Sequence, residues 1–138
     1  MPELSEKVIR ISLIYLVIGF TLGAILLINK ATNVDPQIWI LLPIHIEIVI
    51  FGWLIQLIMG VAYWSFPRFF EMPNRGNPHY NWLMIIILNV GIWTSISGDL
   101  FLSAKFLPMV GRCLETIGII GFFMLIWQRT RSPQRHHQ

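Results

Sequence analysis

A chain of 138 residues that is 55% hydrophobic, 12% charged and of net charge +3 has too few polar side chains for a soluble domain of its size. Its single cysteine, Cys113, excludes an internal disulfide and a Cys-based zinc site. The absence of a Ser-His-Asp pattern, of H-E-x-x-H and of a Gly-rich phosphate loop argues against hydrolytic chemistry.

About 20 apolar residues cross a bilayer as a helix, and four runs reach that length: Ile11–Asn29, Ile38–Trp64, Trp82–Ser103 and Met109–Gln128. The sequence therefore predicts an all-α, multi-pass membrane protein, a single four-helix domain over residues 1–138 with the lipid bilayer as its solvent. The first run follows Lys7 and Arg10. Its apolar stretch is longer than a signal-peptide core and no A-x-A-like site follows, so it is read as a helix. Gly19 and Gly23 form a GxxxG in it, a pattern that lets helices approach closely.

The second run holds the most informative residues, His45 and Glu47, inside an apolar segment. An ionisable side chain at the centre of a membrane helix costs roughly 2.5–3.5 kcal/mol on insertion scales, so two within three residues imply a ligand or partner. His45 lies roughly 10 Å past the helix start at about 1.5 Å per residue. It shares a helical face with Val49, Gly52, Gln56, Met59 or Gly60, and Tyr63. Glu47 stands about 200° around the helix from His45, at about 100° per residue, so the two face different neighbours.

The loop Pro67–Asn81, with Pro67, Pro73, Gly76 and Pro78, reads as turns. The third run carries a small-xxx-small pair, Gly91 and Ser95, and ends near Asp99; the fourth begins with Arg112 and Glu115 on one face. His45, Glu47, Asp99, Arg112 and Glu115 are thus expected in one polar band. Within it, Arg112 either bridges to Asp99 or Glu115 or binds an anionic cofactor group such as a haem propionate.

Lysine and arginine counts set the orientation. Lys7, Arg10, Arg68, Arg75, Arg129, Arg131 and Arg135 fall on one side, and Lys30, Lys105 and Arg112 on the other, which predicts cytoplasmic termini. The basic tail from Arg129 to His137 reads as a solvated segment near anionic lipid, and no nucleic-acid partner is expected. Trp39, Trp64, Trp82 and Trp127 near the helix ends suit an interfacial aromatic belt.

The run His45-Ile46-Glu47, followed by Phe51-Gly52-Trp53-Leu54, Met59-Gly60-Val61-Ala62-Tyr63-Trp64 and Phe66-Pro67-Arg68, resembles the histidine-bearing helices of the haem-copper oxidase and nitric oxide reductase catalytic subunit. Asn89-Val90-Gly91 and Trp127-Gln128-Arg129 resemble the short, four-helix subunit I-like members of that family. The family's large subunit has twelve helices in three pseudo-symmetric groups of four. The resemblance therefore implies one third of that ring, completed as a homotrimer, in the bacterial cytoplasmic membrane. It departs from the family in offering His45 as its only intramembrane histidine, since His79 falls in a loop and His136 and His137 in the tail. A complete oxygen-reducing centre is not expected.

Three functions follow. The first is a haem-b module for electron transfer or diatomic-gas binding, with His45 as axial ligand, Gly52 giving room for the macrocycle and Arg112 near the cofactor. The second is a copper, zinc or iron site built at an oligomer axis from copies of His45 or Glu47. The third is a cofactor-free structural or assembly subunit of a membrane complex, such as a larger respiratory complex, in which His45 and Glu47 only hydrogen-bond between helices. A homodimer bridged by two His45 residues competes with the trimer. Any activity would be that of an oxidoreductase, and the isolated chain is not expected to be an enzyme.

Overall fold

The computed structural model describes residues 2–66, 78–101 and 106–130, with side chains to Trp127. Nearly all of those residues are helical, and four helices are long and apolar enough to cross a membrane. We label them α1 (Glu3–Thr32), α2 (Pro36–Ser65), α3 (Pro78–Leu100) and α4 (Leu107–Thr130). The Pro67–Asn77 part of the expected loop, Lys105, and the tail from Arg131 onward lie outside the described residues, as does the Arg129 side chain.

Helix α1 begins well before the apolar run. Pro2 precedes it, Glu3 and Glu6 lie in its first turn, and Lys7–Glu3 and Arg10–Glu6 pairs at 2.5 Å stitch successive turns. Acidic residues at a helix start and i,i+4 pairs favour helix where hydropathy is silent. The end of α1 is set by Asn33 in the left-handed region (φ 52°), whose amide donates to the Asn29 carbonyl. Asn29 also receives the Asp35 amide at 3.0 Å and donates to the Asp35 carbonyl at 2.9 Å, which locks the turn into α2.

Four segments of three helical geometries follow one another along α2. A 3₁₀ turn (Pro36–Ile40) opens it, with Asp35 accepting the Gln37 amide at 2.8 Å. An α segment (Leu41–Glu47), a π segment (Ile48–Ile55) and a second α segment (Gln56–Ser65) complete it. Pro43 has no N–H for the Trp39 carbonyl, which accounts for the irregular first turns. π-Turns are uncommon and concentrate at functional sites. This one starts at the residue after Glu47.

Two hairpins, α1–α2 and α3–α4, pack together, and the α3–α4 seam is the closest. A Cβ on Gly98 would collide with the Pro108 ring, and one on Gly111 would stand 2.7 Å from the Ser95 amide nitrogen. Between the hairpins lies a core that includes Val8, Tyr15, Ile48, Met59, Tyr63, Leu88, Ile92 and Phe122. The outward faces carry exposed Leu13, Val17, Phe20, Ile58, Ile86 and Phe123. Apolar exposure on every helix is what a hydrocarbon solvent accommodates.

Candidate functional site

His45 faces α1. Its Nδ1 lies 2.9 Å from the Gly19 carbonyl oxygen, and a carbonyl can only accept, so Nδ1 carries the proton and in the neutral ring Nε2 carries the lone pair. The glycines of the GxxxG make this approach feasible. A Cβ on Gly23 would come within 2.9 Å of His45 Cε1, and one on Gly19 within 2.7 Å of Val49 Cγ2.

Beside the imidazole runs a groove of about 590 Å³ lined by Phe20, Gly23, Lys30, Trp39, His45 and Trp53, among others. Ligand pockets typically span ~300–1,000 Å³ and are mostly apolar with a few polar groups. Here the polar lining residues are His45 and Lys30, and the indole Nε1 of Trp53 is buried with no hydrogen-bond partner.

Glu47, fully buried, faces the opposite way, toward α4, where it pairs with the Arg112 guanidinium. Arg112 also donates to Glu115 Oε2 at 3.2 Å and lies over the Phe51 ring at 5.1 Å. Glu115 is fully buried as well. Asp99 is half-buried and makes no ion pair with another described residue. Of the two salt-bridge partners that the sequence offers Arg112, Glu115 is the one in contact, and Glu47 joins it from the neighbouring helix.

Gly52 sits at a third contact. A Cβ there would meet the Tyr15 ring at 2.7 Å, so this space holds Tyr15. The Tyr15 hydroxyl donates to Asn89 Oδ1 at 2.9 Å, and Asn89 Nδ2 donates to Gln56 Oε1 at 2.9 Å and to the Ile85 carbonyl at 2.9 Å. Gln56 is fully buried. His45, Gly52 and Arg112 therefore do not line one cavity within a chain: the first borders the α1–α2 groove, the second seats Tyr15, and the third holds two carboxylates.

Sequence reasoning did not single out Lys30, Trp39 and Trp53 as groove residues, nor the Tyr15–Asn89–Gln56 chain. Asn89 had a usable signal, an amide in mid-span that needs partners. Among the described residues no group of three or more His, Cys, Asp or Glu side chains could hold a metal ion. His79 lies exposed in the first turn of α3, and Cys113 is an exposed free thiol. In comparisons with known proteins, no protein-family model, no curated protein and no solved structure matches the chain.

Proposed function

We propose that the protein is a haem-b-binding subunit of the bacterial cytoplasmic membrane, in which His45, through Nε2, would hold the haem iron and the α1–α2 groove would receive the macrocycle. The observation that carries this reading is the His45 Nδ1–H to Gly19 carbonyl bond at 2.9 Å. Metal-ligating histidines almost always donate their other ring N–H to a carbonyl or carboxylate, which fixes the tautomer and raises the basicity of the ligating nitrogen. A histidine already oriented this way, bordering an apolar groove and with Gly23 against its ring, fits a haem ligand.

Bound haem would supply one-electron chemistry or a site for a diatomic gas. The chain's own residues hold and orient. Gly19 sets the ring angle, Phe20, Trp39 and Trp53 keep water from the groove, and Lys30 is the cation available there to haem carboxylates. Arg112, committed to Glu47 and Glu115, is not needed for that role. The likeness of α2 to the histidine-bearing helices of oxidase subunit I supports the same reading, and the assembly it implies is a homotrimer that would rebuild the twelve-helix ring; native mass spectrometry in mild detergent tests it against a homodimer.

A second reading is a cofactor-free assembly subunit. It is favoured by the fact that the Gly19 bond alone gives His45 a partner. Absorption spectra decide between them. Purified wild type is expected to show a b-type reduced-minus-oxidised spectrum, and His45→Ala to lose it while still inserting. A colourless wild type without bound metal selects the assembly reading; one with stoichiometric copper, zinc or iron selects a metal site shared between subunits.

A further inference from the structure

Glu47 and Glu115 approach one guanidinium from two helices. Both side chains are fully buried, and the charged groups beside Glu47 are Arg112, in contact with it, and Glu115 on the same guanidinium nitrogen. Other titratable groups of the packed helices point elsewhere: His45 faces α1, Tyr15 donates to Asn89, and Asp99 at the end of α3 makes no ion pair with a described residue. With both carboxylates ionised the cluster would carry one uncompensated negative charge on fully buried side chains. Desolvation makes such a charge costly by several kcal/mol, so it is neutralised by whatever cation fits.

The carboxyl oxygens identify that cation. One guanidinium nitrogen, Arg112 Nη1, contacts Glu47 Oε2 and lies 3.2 Å from Glu115 Oε2, which brings the two carboxyls together, yet Glu47 Oε1 and Glu115 Oε1 are buried with no hydrogen-bond partner. Two ionised carboxylates are acceptors only, so they can bond to each other only through a proton carried by one of them. The helices pack tightly behind the carboxyls. A Cβ on Gly91 would stand 2.8 Å from the Glu115 amide nitrogen and 2.9 Å from its Cγ, so α3 lies directly against Glu115. The Phe51 ring lies 5.1 Å from the guanidinium of Arg112, whose side chain is 46% exposed.

We propose that Glu47 and Glu115 bind one proton between them, as an acid–carboxylate pair clamped by Arg112, so that the α2–α4 contact is a proton-binding site within the membrane-crossing region. The balance is simple: one carboxylic acid, one carboxylate and one guanidinium sum to zero charge, and the site exchanges a proton and nothing else. Carboxyl pairs that cannot both ionise share a proton in this way, and intramembrane carboxylates mark proton paths. The inference is independent of the His45 groove.

Infrared spectroscopy of the full chain in lipid nanodiscs at neutral pH tests it. Wild type is expected to show one carboxylic-acid carbonyl band that shifts in D2O and moves on carbon labelling of glutamate. Glu47→Gln and Glu115→Gln should each abolish the band, because either leaves a single carboxylate to pair with Arg112 as an ion pair. Asp99→Asn should leave it in place. Absence of the band in wild type overturns the proposal and does not depend on any variant folding; it is also the result expected if sodium, not a proton, filled the site. A band that survives in either glutamine variant overturns the sharing.

Discussion

Gly23→Ala and Gly91→Ala put the same methyl group into two seams and should have opposite consequences. At Gly23 the new Cβ would stand 2.9 Å from His45 Cε1, 3.5 Å from Nδ1 and 3.6 Å from Nε2. Carbon atoms prefer about 3.5–4.0 Å, so the ring must retreat by roughly 0.6 Å. It is the free end of a side chain bordering a groove, so the retreat is inexpensive, and alanine's helix propensity returns about 1 kcal/mol. The expected stability change is within about 1 kcal/mol. The bond from Nδ1 to Gly19, now 2.9 Å, would however stretch past the usual ~3.2 Å limit. Loss of such an orienting bond typically costs a metal site about 10–100-fold in affinity. At Gly91 the Cβ would meet the Glu115 amide nitrogen at 2.8 Å and the Gly111 carbonyl oxygen at 2.9 Å. Both are backbone, so a helix must move, and overpacking of that kind costs about 1–3 kcal/mol. Denaturant titration in mixed micelles followed by circular dichroism reads the stabilities, Soret titration reads haem affinity, and NMR of the ring nitrogens reads the tautomer without haem. Equal destabilisation by the two variants, or an unaltered His45 ring in folded Gly23→Ala, would refute the reasoning.

Asn89→Leu removes the Tyr15 and Gln56 bonds together; at about 0.6 kcal/mol each on average and up to about 1.7, a loss of roughly 1–3 kcal/mol is expected in the same micelle titration. Thr94→Ala, which removes only a bond to the Val90 carbonyl on an exposed face, should be near neutral. Asn29→Ala removes both bonds to the Asp35 backbone, so stability should fall by about 1–2 kcal/mol. Amide hydrogen exchange should accelerate at Asn33 to Gln37 and stay unchanged in α3.

Hydropathy was sufficient to find four helices, because a bilayer imposes a length and an apolar composition that a single sequence displays. It could not see the first turns of α1 or α3. In α1 those turns are charged and held by Glu3–Lys7 and Glu6–Arg10, and α3 starts at Pro78, a residue suited to the first helical position. The separation of His45 from Glu47 was legible, since residues two apart on a helix point to different sides. Which neighbours receive them was not. The Gly19 carbonyl is a backbone atom that every sequence has, and the meeting of Glu47 with Arg112 and Glu115 depends on how α2 and α4 are placed side by side. Nor could the sequence tell that Gly52 seats Tyr15, because a glycine announces close approach without saying of what.

The π segment connects these contacts. Leu42, Ile46, Ile50, Leu54 and Ile58 are all exposed, a stripe in strict steps of four. In an unbroken α-helix, four residues at about 100° each overshoot a full turn by about 40°, so four such steps would carry the stripe roughly 160° around the helix. The wider i→i+5 turns of Ile48–Ile55 rotate less per residue and take back the overshoot. The stripe therefore stays on one side of α2 for most of its length, and the opposite face stays turned to the bundle. That face carries Glu47 toward α4 and, farther along, Gln56 toward Asn89 and Gly60 toward Val8 and Ile9 of α1. With a plain α-helix over residues 48–55 and Gln56 held in place, Glu47 would rotate away from Arg112. The geometry of the carboxyl pair thus depends on eight residues, Ile48 to Ile55, that carry no charge of their own.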